Sequence, residues 1–287
     1  MPPSYIISKE NRKRALALQR SYSSNYFLAS FFFPKKIRAE IAVLYAFVRI
    51  PDEYVDNAAS PQEANKKIDS WRKEWDSVIE GKVSDEWVLN DMYALHLQYS
   101  MPFDLSHAFL NVMKEDTTVT RYKNYAELLR YMYGSAATVG RMITYFSGVT
   151  DEPTLLQADA LAYAMQITNI LRDVGEDFTL RNRIYLPQDE MAQFGITEAM
   201  IAEKKVTPQW RAFMQFQIKR NRELYRQADK GIRALPPSMR YPVRTASIFY
   251  EAILSEIEKA DYDVFTRKQK TSSLRKVALL FKSAFNV

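Results

Sequence analysis

The chain has 287 residues, 47% hydrophobic and 26% charged, which is ordinary for a globular protein and ample for a buried core. Only 7 glycines and no cysteine argue against a turn-rich β architecture and glycine-lined nucleotide loops, and exclude disulfides and thiolate metal sites. The net charge of +6 is dispersed, with no helix-turn-helix, zinc or RNA motif; nucleic acid is therefore not an expected partner, whereas anionic lipid headgroups are compatible with it.

A first helix is predicted from about residue 8 to 30, through Ala15, Leu16 and Leu18 into a polar run at 21–25 whose side chains suit capping or bending. The greasiest run, 26–34, is far shorter than the ~20 residues that span a bilayer. With no signal-peptide pattern either, a cytoplasmic location is expected. Pro34 begins a second helix with Ile41, Leu44, Tyr45 and Val48 at core spacing. Toward its end Tyr45, Arg49, Asp52 and Asp56 step i, i+4, i+7, i+11 along one face. Pro51 interrupts the backbone ladder here; a kinked helix is predicted to continue through it, the alternative being a fresh helix with Asp52 and Glu53 as first-turn acids.

Ser60-Pro61 breaks the chain, and 62–99 reads as two amphipathic helices with Trp71, Trp75 and Trp87 as packing residues. His96 and His107 are too few for a histidine metal centre and read as ordinary helix residues. Another helix runs from Met101-Pro102 to Asp116, and a long one from Tyr125 to about Phe146. The latter contains a small-residue run at 134–140 with two glycines. Each costs ~1 kcal/mol in a helix interior, so close helix approach or a need for space must explain them.

Asp151-Glu152-Pro153 signals the start of a helix that passes through 166–177. On it, Asn169, Asp173 and Asp177 are spaced i, i+4, i+8. Like charges one turn apart repel, and more so when partly buried, unless a cation sits between them. One such stripe is often a solvated acidic face. Two stripes, each a D-x-x-x-D beside an arginine in apolar sequence, describe two helices facing across an acidic-walled cavity. Carboxylates bind phosphate only through a cation, so the expected occupant is a polyanion bridged by Mg²⁺. Helical periodicity fails after Asp177, which leaves Arg183 and Tyr185 on a loop. Two short helices, a longer one over 208–232 and another over 241–262 follow. Lys268, Lys270, Arg275 and Lys276 read as solvated or lipid-facing.

At these residues the chain resembles the squalene/phytoene synthase family of head-to-head prenyl transferases, and within it the bacterial phytoene-forming members. The likeness lies in Arg49-Ile50-Pro51-Asp52-Glu53-Tyr54-Val55-Asp56 and in Asn169-Ile170-Leu171-Arg172-Asp173-Val174-Gly175-Glu176-Asp177. It extends to 131–140 and to Arg183-Ile184-Tyr185-Leu186-Pro187, and covers roughly residues 15 to 280. Two departures are Glu53, where the family usually has aspartate, and Asn25, where serine is commoner. The resemblance implies an all-α, single-domain isoprenoid-synthase-type helical bundle around a central cavity, over residues 1–287. It implies catalysis by Asp52, Asp56, Asp173, Asp177 and Tyr131, with Mg²⁺ (or Mn²⁺) held by the four aspartates and Asn169. Diphosphate contacts fall to Ser23, Asn25, Tyr45, Arg49, Asn169, Arg172, Arg183, Tyr185 and Arg267. Tyr45, Tyr131, Phe27 and Phe47 are candidate aromatic faces for an allylic cation.

The implied reaction joins two prenyl diphosphates through a cyclopropylcarbinyl diphosphate. The family resemblance also favours isoprenoid space as the reason for the small residues at 134–140. It aligns the small Ser30 and Ala42 with the far end of the tunnel, which favours two C20 substrates, phytoene as product and no requirement for NADPH. The alternatives are a C30 synthase making dehydrosqualene or squalene, and a non-catalytic assembly factor of the same fold. Head-to-tail prenyltransferases and terpene cyclases differ in the second motif. A peripheral position on the inner membrane face would suit a hydrocarbon product.

Overall fold

The computed structural model describes residues 5–22 and 30–285. Helix α1 spans Lys9–Tyr22; the polar positions Ser23 and Asn25, and Phe27, lie outside the described residues. Helix α2, Lys35–Asp56, follows Pro34 and runs uninterrupted past Pro51, so the first acidic motif sits on its last two turns. Helices α3 (Pro61–Ile79) and α4 (Trp87–Tyr99) wrap Trp71 and Trp75 into the core, where Phe47 meets Trp75 edge-on at 5.2 Å. Ser60 caps α3 by accepting from the Glu63 amide, the role its Ser-Pro sequence suggests.

Helix α5 (Phe103–Glu115) is followed by α6 (Tyr125–Met132), a π-helical turn (Tyr133–Ala137) and α7 (Thr138–Tyr145). The predicted single helix over 125–146 is thus broken by one wide turn, a distortion common at functional sites. Gly134 in that turn has a packing reason: a Cβ there would collide with Val112 of α5. Gly140 lies where a Cβ would be 3.2 Å from Ala162 Cβ. Close approach therefore explains both glycines, and Gly140 also faces the central cavity.

Helix α8, Glu152–Arg181, is the axis of the molecule. Its 30 residues rise about 45 Å. Asp151 caps it through the Thr154 amide, and Asn182 ends it with a left-handed φ of 50°. It continues one turn beyond Asp177, past the point where the sequence periodicity fails. The short helices α9 (Gln188–Gln193) and α10 (Glu198–Ala202) lead to α11 (Pro208–Ala234), α12 (Pro237–Lys259) and α13 (Ser273–Phe285). A buried polar lock joins α8 to α11: Asn221 donates to the Thr168 hydroxyl at 2.9 Å, and Thr168 also bonds Tyr225 at 2.9 Å. Among the described residues no helix is long and apolar enough to cross a membrane, and the only bridge is an isolated parallel one between Arg121 and Ile184.

Candidate active site

Helix α8 turns one stripe toward a cavity of about 830 Å³, within the range of about 300–1,000 Å³ typical of ligand sites. Ala158, Leu161, Ala162, Met165, Gln166 and Asn169 follow the i, i+3, i+4 rhythm of a single helical face. The stripe is graded: small and apolar at its N-terminal end, then an amide pair, then Arg172 with Asp173 paired to it. Opposite walls come from Tyr45, Arg49 and Asp52 of α2, from the π turn and α7, and from α11 and α12. Small side chains keep the deep part open, among them Gly140, Ala228, Gly231 and Ala246.

The polar end gathers both acidic motifs. Arg49 pairs with Asp52 and with Glu53, one turn apart on α2. Arg172 Nε and Nη2 donate to the two oxygens of Asp173 at 2.7 and 2.5 Å. Lys268 Nζ approaches Asp173 at 3.2 Å and Glu176 at 2.9 Å. Arg181, on the last turn of α8, spans the gap between the motifs: it meets Asp56 at 3.1 Å and Asp177 at 3.7 Å. One guanidinium thus touches an acid from each stripe.

Tyr131 lines the cavity and is buried beside Tyr122 and Tyr185, with ring centroids 5.1 and 5.4 Å away. Behind them, Asp116 accepts from Arg183 at 3.1 Å, and the same guanidinium nitrogen lies 3.3 Å from the Tyr185 hydroxyl. The loop carrying Arg183 is pinned by the Ile184 amide donating to Thr120 at 3.0 Å. Arg183 and Tyr185 therefore brace Tyr131 from outside the cavity lining. Both partners of the Asp116–Arg183 pair are nearly sealed from water, at 6% and 11% side-chain exposure. Asp116→Ala would strand the guanidinium and is expected to cost about 3–5 kcal/mol, read as a lower urea midpoint.

The acids carry an excess of negative charge. Burial pushes Asp52 up to about 6 against the pull of Arg49, with Asp56 adding to the rise. Burial followed by repulsion from Asp173 pushes Asp177 up to about 7, and burial raises Asp116 to about 6 despite Arg183. Folded values above the ordinary 3.8 mean that protonation favours the folded state. These acids therefore weaken the metal-free fold above about 7, and that cost fades as pH falls. Cation binding has the opposite sign, because a ligand carboxylate must lose its proton first. In the presence of a chelator, the urea midpoint is therefore expected to rise as pH drops through about 7 and then about 6, which equilibrium unfolding at a series of pH values would measure.

Several positions differ from the sequence-based expectation. Phe47 is sealed in the core against Trp75 and lies off the cavity wall. Ala42 is likewise fully buried in the core, and neither it nor Ser30 lines the cavity; the open space comes from the small residues of α7, α8, α11 and α12. Arg267 is exposed, and the basic group at the second motif is its neighbour Lys268, joined on the cavity wall by Lys270 and Lys276. Gly175 explains the register: a Cβ there would stand 3.1 Å from Phe265 Cα, so the backbone at 264–265 lies directly on α8 and delivers Lys268 to Asp173. Arg181 and Gln166 were legible, being i+4 from Asp177 and i−3 from Asn169. Asp116, and Tyr250 which lines the cavity from α12, carry no pattern that marks them.

Fold and site define an all-α bundle whose central cavity joins an apolar tunnel to a polar end lined by Arg49, Asp52 and Arg172, with Asp173 paired to that last arginine and Asp56 and Asp177 bridged by Arg181. The chain belongs to the squalene/phytoene synthase family: the model of that family, Squalene/phytoene synthase, matches residues 19–276. It is 34% identical to a chloroplastic phytoene synthase of Narcissus pseudonarcissus, across 98% of this chain and 67% of that one. It is 35% identical to the chloroplastic phytoene synthase 2 of Solanum lycopersicum, across 98% and 92%. Its fold matches the crystal structure of a dehydrosqualene synthase in complex with a ligand, with a TM-score of 0.88, 26% identity and 96% of each chain covered. A squalene synthase from Alicyclobacillus acidocaldarius shares the fold at a TM-score of 0.82 and 23% identity, covering 88% of this chain and 95% of that one.

Proposed function

We propose that this chain is one catalytic domain that condenses two geranylgeranyl diphosphates head to head, forming phytoene through prephytoene diphosphate and releasing diphosphate. The observation that carries this is the single graded stripe of α8, which runs from a small-residue tunnel to Asn169 and to Arg172, the partner of Asp173. The phytoene synthases it resembles support the C40 product.

The donors at the polar end are carboxylate and amide oxygens, a set that suits Mg²⁺ or Mn²⁺. Among the described residues no three acidic or histidine groups already form a cage, so substrate phosphate oxygens would complete the coordination. Asp52, Asp56, Asp173, Asp177 and Asn169 would hold the ions, and when bound these ions offset the charge that develops on the departing diphosphate. Arg49, Arg172 and Lys268 add fixed positive charge at the same end, and Tyr45 lies beside Arg49 on the wall. Ionisation leaves an allylic cation. The tunnel keeps it from water with apolar walls, and the buried Tyr131 ring, held by Tyr122 and Tyr185, favours positive charge at its face. Ser23 and Asn25 are assigned to diphosphate contact by the family resemblance; Arg183 and Tyr185, to which the same resemblance gives that role, are read as bracing Tyr131. Phytoene formation needs no reductant, so NADPH is not required. A cytoplasmic position, peripheral on a membrane face, fits a hydrocarbon product, and co-sedimentation with anionic vesicles tests it.

Incubation of the purified protein with Mg²⁺ and radiolabelled C15 or C20 diphosphates, with and without NADPH, tests the activity. A C40 hydrocarbon formed without NADPH is expected. A preferred C30 product would overturn the chain length, and the absence of any diphosphate release would overturn the chemistry.

A further inference from the structure

The bridge made by Arg181 is an arrangement that neither motif requires. Its guanidinium leaves the C-terminal turn of α8, where the helix dipole favours a cation, and reaches across the polar end. Nε and Nη2 take both oxygens of Asp56 at 3.1 Å, and Nη1 faces Asp177 at 3.7 Å. The side chain is one-third exposed, at 34%, whereas the two carboxylates are at 20% and 16%. The cation therefore sits at the rim with a path outward, and the acids sit deeper. Like charges contributed by two separate helices would otherwise push α2 and the end of α8 apart.

We infer that Arg181 is a built-in counter-cation that holds the two acidic motifs together before substrate arrives, competes with divalent metal for Asp56 and Asp177, and turns onto the diphosphate once metal and diphosphate bind. The inference rests on the proposed metal–diphosphate reading of the site and adds to it an order of events. The chain closes its own acidic gap in the empty state, so the site is pre-assembled but holds bare metal weakly. Diphosphate, carrying both the remaining ligand oxygens and an alternative partner for the guanidinium, relieves the competition. Metal alone is then a poor ligand, and metal with diphosphate a good one. Because it changes partner between the empty and the loaded site, Arg181 should leave a signature in binding that a purely structural arginine would not.

The test is titration of Mn²⁺ into wild type, Arg181→Gln and Arg181→Lys, by calorimetry and by the loss of the free-Mn²⁺ paramagnetic resonance signal, with and without inorganic pyrophosphate. Without pyrophosphate, Arg181→Gln is expected to bind Mn²⁺ about 5- to 10-fold more tightly than wild type, because the competing charge is gone. Arg181→Lys is expected to stay near wild type. With pyrophosphate the order reverses, Arg181→Gln becoming the weaker binder. Thermal unfolding identifies a variant that has simply lost its fold. If folded Arg181→Gln binds bare Mn²⁺ no more tightly than wild type, the competition does not exist and the inference falls, while the proposed function stands. If wild type binds no Mn²⁺ with pyrophosphate, or binds it unchanged after Asp173→Asn, both fall together.

Discussion

Asp173→Asn is expected to lower turnover by about 10³-fold or more while the helix bundle stays folded. The carboxylate is the most heavily engaged acid of the polar end, held bidentately by Arg172 and approached by Lys268. Asparagine preserves its volume and one acceptor oxygen, so the packing of α8 against α11 and α12 is unaffected. What disappears is one negative charge and one hard-oxygen ligand, leaving Arg172 and Lys268 to repel any approaching cation. The loss should therefore fall mainly on the chemical step and on metal-dependent diphosphate binding, and hardly on thermal stability. Single-turnover assays with C20 diphosphate, beside a circular dichroism melt, separate these outcomes. Wild-type rates would remove Asp173 from the mechanism; a melt lowered by many degrees would make the effect one of folding.

The two motifs were legible because helical spacing is a local rule. Asp52 and Asp56, or Asn169, Asp173 and Asp177, fall on one face whatever surrounds them, and the apolar residues between them indicate the core. The same rule passes Pro51 only if tertiary packing holds the turn, and it does. The unread features depend on contacts between distant segments. The π turn at 133–137 answers to the proximity of α5 at Gly134, which no periodicity within 125–146 reveals. Lys268 rather than Arg267 meets the second motif because Gly175 lets the backbone at 264–265 settle on α8. That segment is also fixed by Trp210, whose Nε1 donates to the Tyr262 carbonyl at 2.9 Å and whose ring meets Phe265 at 4.8 Å. Asp116 sits at the end of α5 with nothing in its neighbourhood to distinguish it from a surface acid; only the loop that returns 67 residues later with Arg183 makes it buried. Tunnel length is not set at Ser30 and Ala42, because the wall is built by other residues that face the same void from α2, the π turn, α7, α8, α11 and α12.

That wall supports a second large effect, on chain length. Ala158 lies 15 residues before Asp173 on the same stripe, about 22 Å along the helix axis. Side chains on a helix lean toward its N-terminus, so the ring of Ala158→Phe would fill the tunnel from position 158 toward Thr154 and leave the span from 158 to 173 open. One isoprene unit is about as long as one helical turn, ~5 Å, and the diphosphate head beside Asp173 takes up about one turn more, so the roughly 17 Å that remains holds the three units of a C15 tail and excludes the fourth unit of a C20 tail. The preference for C20 over C15 diphosphate is expected to fall by at least about 100-fold in kcat/KM, with C30 hydrocarbon replacing C40. Overfilling also costs about 1–3 kcal/mol of stability, so an absolute rate would mix two effects. The ratio of the two substrates in a single preparation does not, because any unfolded fraction lowers both equally. An unchanged ratio would mean that the prenyl tail does not run along α8, and the tunnel assignment would have to move to the α11–α12 side of the cavity.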